Sequence, residues 1–315
     1  MEVHLSDDEK LFLITGVEAD TRNDGRACGD FRQIVLERGV LSSTNGSCRV
    51  QLGQNTDVLA GIKLDLESYD ATVETVQKQP MQFYVDFSAN ASSQFAGKGG
   101  DEYAEELSAA FQVAYSRALD ILPNLSKTQL AEGYRWKIYV DITVLQWDGS
   151  VTDAISLAVI GALSDMEIPE VEVAPDDGGK VSIVLKRPRK GGNVRDEEVP
   201  VAMWKLDVER CPLLLTVSKI GTANVVDCTP EEETCVRSQL LIGITGASET
   251  VEKGGNYGLD YEVTCMKQVG GGLLELESVN DMLEMAQNTA RSLYTALHQR
   301  MKTEEHRKPG HSFLL

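Results

Sequence analysis

Apolar positions along this chain recur with two different spacings, and the switches between them lay out the elements. Phe31 to Glu37 alternates with period two, as a strand does when its side chains face opposite sides of a sheet. Gly46 to Leu66 reads as two strands joined at Gly53 to Asn55, and a polar loop from Glu67 leads to another strand, Met81 to Phe87. Tyr134 to Gln146 is a strand whose end is almost continuously apolar. Ile168 to Ala174 and Lys180 to Lys186 form a further pair around the acidic turn Pro175 to Gly179. Beyond it, strands are expected at Val201 to Val208, Leu213 to Ile220, Ser238 to Thr245 and Tyr261 to Lys267. Helical spacing appears in three places. Residues 6 to 15 carry a capping box, Ser6 with Glu9. A helix starting near Asp101, its expected N-cap, runs along Tyr103, Leu107, Phe111 and Ala114. The last runs from Ser278 to Met301.

The stretch from Trp147 to Pro169 departs from both patterns. A tight turn at Asp148-Gly149 feeds a helix that is apolar on nearly every side, through Ala154, Ile155, Leu157, Ala158, Val159, Ile160, Ala162 and Leu163. A helix without a polar stripe is buried, here within a layered α/β domain. A turn before a helix N-terminus is also an anion site, because unpaired N–H groups and the positive dipole end meet there. Thr152 and Asp153 are expected to cap it, in which case the Asp153 carboxylate already satisfies the dipole. The alternative is an ordinary N-cap with no ligand.

Composition narrows the chemistry. The chain has 315 residues, enough for one large domain or two smaller ones. No apolar run reaches the roughly 18 to 20 residues of a membrane span, so no membrane partner is expected. The acidic start, MEVHLSDDEK, predicts neither a signal nor a transit peptide. The six cysteines are scattered without a CxxC pair, which fits a reduced protein with neither disulfide scaffold nor zinc site. His4, His298, His306 and His311 all lie near the ends, which argues against a histidine-based triad or zinc centre. A net charge of −19 argues against a free-standing nucleic-acid binder, though it leaves room for local basic patches or for partners that supply positive charge. Lys186 to Gly192 is the only basic cluster, and its proline and paired glycines read as a connecting loop before a nuclear-import signal or RNA contact.

Several motifs, in order, resemble the RNase PH superfamily of phosphorolytic exoribonucleases, over about residues 20 to 300. Arg22-Asn23-Asp24-Gly25-Arg26 resembles its R-x-DGR entry motif, with Arg22 and Arg26 read as structural pins in preference to RNA contacts. Gly46-Ser47, Gly53 and Thr56 fall where the family has a glycine-rich hairpin. Asp148 and Gly149 match the family's phosphate-binding Asp-Gly-Gly-Thr-Arg turn, with Ser150 for the second glycine, Val151 for the threonine and Thr152 for the arginine. The loss of that arginine removes a bidentate contact to phosphate. Before Asp101, where catalytic relatives carry RNA-binding arginine, only Lys98 remains as a candidate RNA contact. Asp227 matches the first of two family aspartates that hold Mg²⁺, and Glu233 stands for the second; an acidic turn at Pro230 is the alternative reading.

The resemblance implies an RNase PH-like α/β (α+β) fold, two βαβ-type halves with mixed sheets packed on helices. The halves span residues 21–195 and 196–302, after an N-terminal helix and lead-in over 1–20 and before a disordered tail over 303–315. Within the superfamily the chain is most similar to catalytically silent ring subunits of the RNA exosome. That implies a non-catalytic, cofactor-free and metal-free member of a hetero-hexameric ring of RNase PH-like subunits, topped by RNA-binding cap subunits and threading single-stranded RNA. It also implies a place in rRNA maturation and mRNA decay in nucleus, nucleolus and cytoplasm. The alternative is an active phosphate-dependent 3′–5′ exoribonuclease that uses Asp227 and Glu233 for Mg²⁺.

Overall fold

A computed structural model describes residues 4–68, 79–92, 95, 98–122, 124–131, 133–175, 181–187, 201–246, 250–251, 257–258, 261–304 and 312–314. In the first half the elements are α1 (Asp7–Glu18), β1 (Ile34–Arg38), β2 (Gly46–Leu52), β3 (Thr56–Ser68), β4 (Met81–Phe87), α2 (Lys98–Ala114), α3 (Ala118–Ile121), β5 (Gln129–Ala131), β6 (Tyr134–Gln146) and α4 (Val151–Asp165). Then follow β7 (Glu167–Pro169), β8 (Val171–Pro175), β9 (Val181–Leu185), β10 (Met203–Lys205), β11 (Leu213–Ile220), β12 (Ala223–Val226), α5 (Pro230–Glu233) and β13 (Ser238–Gly246). The chain closes with β14 (Thr250–Val251), β15 (Tyr257–Gly258), β16 (Tyr261–Val269), α6 (Leu276–Glu304) and β17 (Ser312–Leu314).

Two sheets carry the fold. The first has the order β17-β1-β2-β3-β6-β4, with β5 also on β6; β4 runs parallel to β6 and the other pairs are antiparallel. Its one parallel pair is bridged by α2, as a parallel connection requires a crossover. The second sheet is antiparallel throughout, in the order β12-β11-β13-β16.

Helix α4 lies between the sheets, against β2 and β3 on one side and β11 on the other. Every residue from Val151 to Ser164 is buried, the arrangement that its all-round apolar surface demands. Two glycines let α4 and β2 approach closely. A Cβ on Gly46 would stand 2.6 Å from the Ala162 carbonyl oxygen, and one on Gly161 would run into the Cys48 sulfur. One apolar core therefore runs through both sheets, from Ile34 on β1 to Leu297 on α6. A smaller cluster, Val17, Cys28, Ile220, Val225 and Cys228, seats α1 on the second sheet.

Some elements differ from the sequence reading. The box of Ser6 and Glu9 is present, but α1 continues to Glu18. Helix α2 starts at Lys98, which puts Asp101 in its first turn and not at the N-cap. The expected disordered end carries a strand: Ser312–Leu314 pair with the outer edge of β1, where unpaired backbone groups accept another strand. The basic cluster from Pro188 onward, the acidic turn from 176 to 179 and the loop over 69–78 lie outside the described residues.

Candidate functional site

The turn after β6 is fixed from three sides. The Thr56 hydroxyl accepts the Asp148 N–H at 3.1 Å and donates to the Gly149 carbonyl at 3.0 Å. Arg32 donates from Nη1 to the Asp148 carbonyl at 2.6 Å and from Nη2 to that of Gly149. Gly149 has φ +80°, and a side chain there would collide with the Cys228 carbonyl oxygen. Glycine at this position is what lets the turn sit directly on the segment between β12 and α5.

That segment is held by three arginines. Asp227, itself at φ +48°, accepts from Arg26 Nη1 at 2.8 Å, from the Arg32 backbone N–H at 2.7 Å and from Arg32 Nη2 at 2.7 Å. Burial works against the Arg32 charge, but the paired Asp227 outweighs it and holds the guanidinium above its ordinary range. Arg22 is buried, with Nε 2.9 Å from Glu232 Oε1 and Nη2 on the Asp227 carbonyl. Arg22 and Arg26 are thus the structural pins that their motif predicted. Arg32 escaped the sequence reading, although it is in phase with the buried Ile34 and Leu36, and a charge in an apolar register was its available signal.

This geometry overturns the magnesium reading of Asp227. Both its oxygens are engaged by guanidinium groups, the opposite of a carboxylate that awaits a cation. Among the described residues no group of three or more His, Cys, Asp or Glu side chains is placed to hold a metal ion. The acidic turn after it is α5, one helical turn with Thr229 as N-cap, Glu232 completing a capping box and Pro230 in the first turn.

At the start of α4 the expected caps are absent. Ser150 is the N-cap residue, in a left-handed conformation and without a side-chain cap. Asp153 Oδ1 instead accepts the Thr216 N–H from β11 at 2.7 Å, and its Oδ2 is buried without a hydrogen-bond partner. Burial, reinforced by the charge of Asp227, pushes the Asp153 carboxyl well above the usual carboxylate range. The group that does meet the turn is Glu233, 83 residues further along the chain, whose Oε1 accepts the Ser150 N–H at 2.9 Å. Burial raises Glu233 to about 7, against the opposing pull of the Ser150 N–H and the Arg32 charge.

Val151 and Thr152 line a cavity of about 40 Å³ at this helix start, together with Tyr103, Glu106, Glu233 and Lys267. That is space for about three water-sized groups. Lys267, the one cation among its described lining residues, is 2.6 Å from Glu106. Burial, and next the Glu233 charge, push the Tyr103 phenol above its ordinary range. No arginine is among the described residues that line the cavity. Lys98 is the first residue of α2 by backbone, and its side chain lies outside the described residues.

Residues 30–169 match the RNase PH family, described as 3′ exoribonuclease family, domain 1, and residues 211–289 match domain 2 of the same family. The chain belongs to the RNase PH-type 3′ exoribonuclease family. Among RNase PH-type relatives, it is 31% identical over 278 residues to "Exosome complex component Rrp42" of Pyrococcus furiosus, with 87% of each chain covered. It is 29% identical over 303 residues to "Putative exosome complex exonuclease RRP42" of Dictyostelium discoideum, covering 81% of this chain and 90% of that one. A solved "Archaeal exosome core" chain superposes with a TM-score of 0.64 at 22% identity, covering 94% of this chain and 97% of that one. An Archaeoglobus fulgidus exosome chain, solved with RNA bound to the active site, gives 0.65 at 24%, with 92% and 98% covered. These two likenesses show the RNase PH fold.

Proposed function

We propose that this chain is a non-catalytic subunit of an exosome ring. It builds, with other RNase PH-like subunits, a hetero-hexamer that carries RNA-binding caps and threads single-stranded RNA towards 3′–5′ processing and degradation. The observation that carries the silent role is the Ser150–Glu233 contact. In an RNase PH-type phosphorolytic site, phosphate must be held and aimed before it can attack. Here the chain's own carboxylate accepts the amide of the turn, and Val151 and Thr152 stand where the threonine and arginine of the motif would be. A second anion would meet Glu233 and Glu106, while the Arg32 guanidinium is already taken up by Asp227 and the carbonyls of the turn. Subunit identity is supported by relatives named as exosome components, matched over most of their length. The segments VDCTPEEE and VTCMKQVGGG are most like the silent subunit often called exosome component seven. The same reading assigns it a part in rRNA maturation and mRNA decay in nucleus, nucleolus and cytoplasm, which a fluorescent fusion of the full chain would test.

The deciding assay incubates the purified chain with single-stranded RNA, phosphate and Mg²⁺ beside an active RNase PH-type enzyme. No nucleoside diphosphate is expected from this chain. Phosphate-dependent release of nucleoside diphosphate by the purified chain would overturn the silent assignment.

A further inference from the structure

A second recess lies far along the sequence from the α4 turn, between α6, β12 and the segment that leads into β1. It encloses about 620 Å³, within the range of sites that take a few side chains of a bound molecule. Its charge is one-sided. Asp30, whose Oδ2 accepts the Ala27 N–H at 3.0 Å, stands on one rim, Asp281 and Glu284 on the other, and no Lys, Arg or His is among its described lining residues. Asp281 and Glu284 are exposed, and among the described residues neither has an ion-pair or hydrogen-bond partner. Phe31, Met285 and Leu293 supply apolar surface between the rims. The lead-in rim is held in place, because Arg22 and Arg26 both donate to the Asp30 carbonyl. In the recess, Asn224 keeps its Oδ1 buried with no hydrogen-bond partner.

We propose that this groove docks a basic segment of a partner polypeptide, an arginine or lysine flanked by apolar residues. Charge complementarity selects the occupant. Three carboxylates around an apolar floor favour a guanidinium or ammonium on an aliphatic stem, which buries its methylenes while the head stays at the rim. The same carboxylates repel a nucleic-acid backbone.

The test uses the full chain and an end-blocked fluorescent peptide in which two arginines alternate with leucines, read by anisotropy. Its twin carries citrulline, which keeps the shape and loses the charge. Binding is expected to weaken about tenfold for the citrulline peptide, and about tenfold for Asp281→Asn/Glu284→Gln with unchanged circular dichroism. Because the chain is strongly acidic throughout, Glu102→Gln/Glu105→Gln, exposed on α2, serves as the control and should bind as the parent does. Equal weakening in that control reduces the effect to general electrostatics and overturns the proposal. So does absence of binding at about millimolar peptide, insensitivity to both changes, or displacement of the peptide by oligoadenylate.

Discussion

Arg32 grips Asp227 with its backbone and its side chain at once. The backbone N–H donates to Oδ2 at 2.7 Å and Nη2 to Oδ1 at 2.7 Å, while Nη1 reaches on to the Asp148 carbonyl. One residue thus ties the lead-in to β1, the end of β12 and the turn before α4, three segments far apart in sequence. Removing one partner of a buried pair leaves an uncompensated charge, at a cost of about 3–5 kcal/mol. Asp227→Ala is therefore expected to destabilise the chain by about that amount in urea unfolding. A change below about 1 kcal/mol, the worth of an exposed pair, would show that the grip is incidental.

Glu233 makes stability depend on pH in a direction opposite to an ordinary paired carboxylate. Its folded value of about 7 lies above the ordinary 4.5. Between those values the folded chain binds more protons than the unfolded chain, so the contribution of this group falls as pH rises and is lowest above about 7. Glu233→Gln keeps an oxygen for the Ser150 N–H and removes the charge. The variant is expected to match the parent near pH 4.5 and to exceed it by up to about 3 kcal/mol at about pH 8. Parallel unfolding profiles across that window would refute the assignment.

Reinstating the missing arginine alone is not expected to restore chemistry. Thr152→Arg places a guanidinium beside Glu233, and the two form a pair in preference to an incoming phosphate. Thr152→Arg should release no nucleoside diphosphate from RNA. Release by this single variant would show that Glu233 does not hold the turn.

Asp153 is a buried carboxyl with one unpartnered oxygen. Asp153→Asn keeps the acceptor for Thr216 N–H and is expected to stay within about 1 kcal/mol of the parent. Asp153→Ala leaves that N–H unsatisfied and costs about 1–3 kcal/mol. Thermal unfolding of the pair checks the contrast.

Gly161 faces Cys48 where α4 packs on β2. Gly161→Ala drives a methyl into Cys48 and should cost about 1–3 kcal/mol despite alanine's better helix propensity. Cys48→Ala should recover part of that loss, giving a non-additive double-mutant cycle.

Local patterning was sufficient for most elements. The strands β2, β4, β6 and β11, and the buried character of α4, were legible because period-two alternation and an unbroken apolar surface are properties of neighbouring residues. The arginine pins at Arg22 and Arg26 were legible through their motif, and the missing phosphate arginine through a single position, Thr152. Contacts between residues distant in sequence were decided by the tertiary structure alone. The turn amide is met by Glu233 and not by Thr152 or Asp153, because the segment between β12 and β13 folds over the start of α4. Asp227 is taken up by arginine side chains because the lead-in to β1 is laid across it. Sequence spacing ranks residue types and periods, but a hydrogen bond across 83 residues exists only once two sheets have closed on one helix.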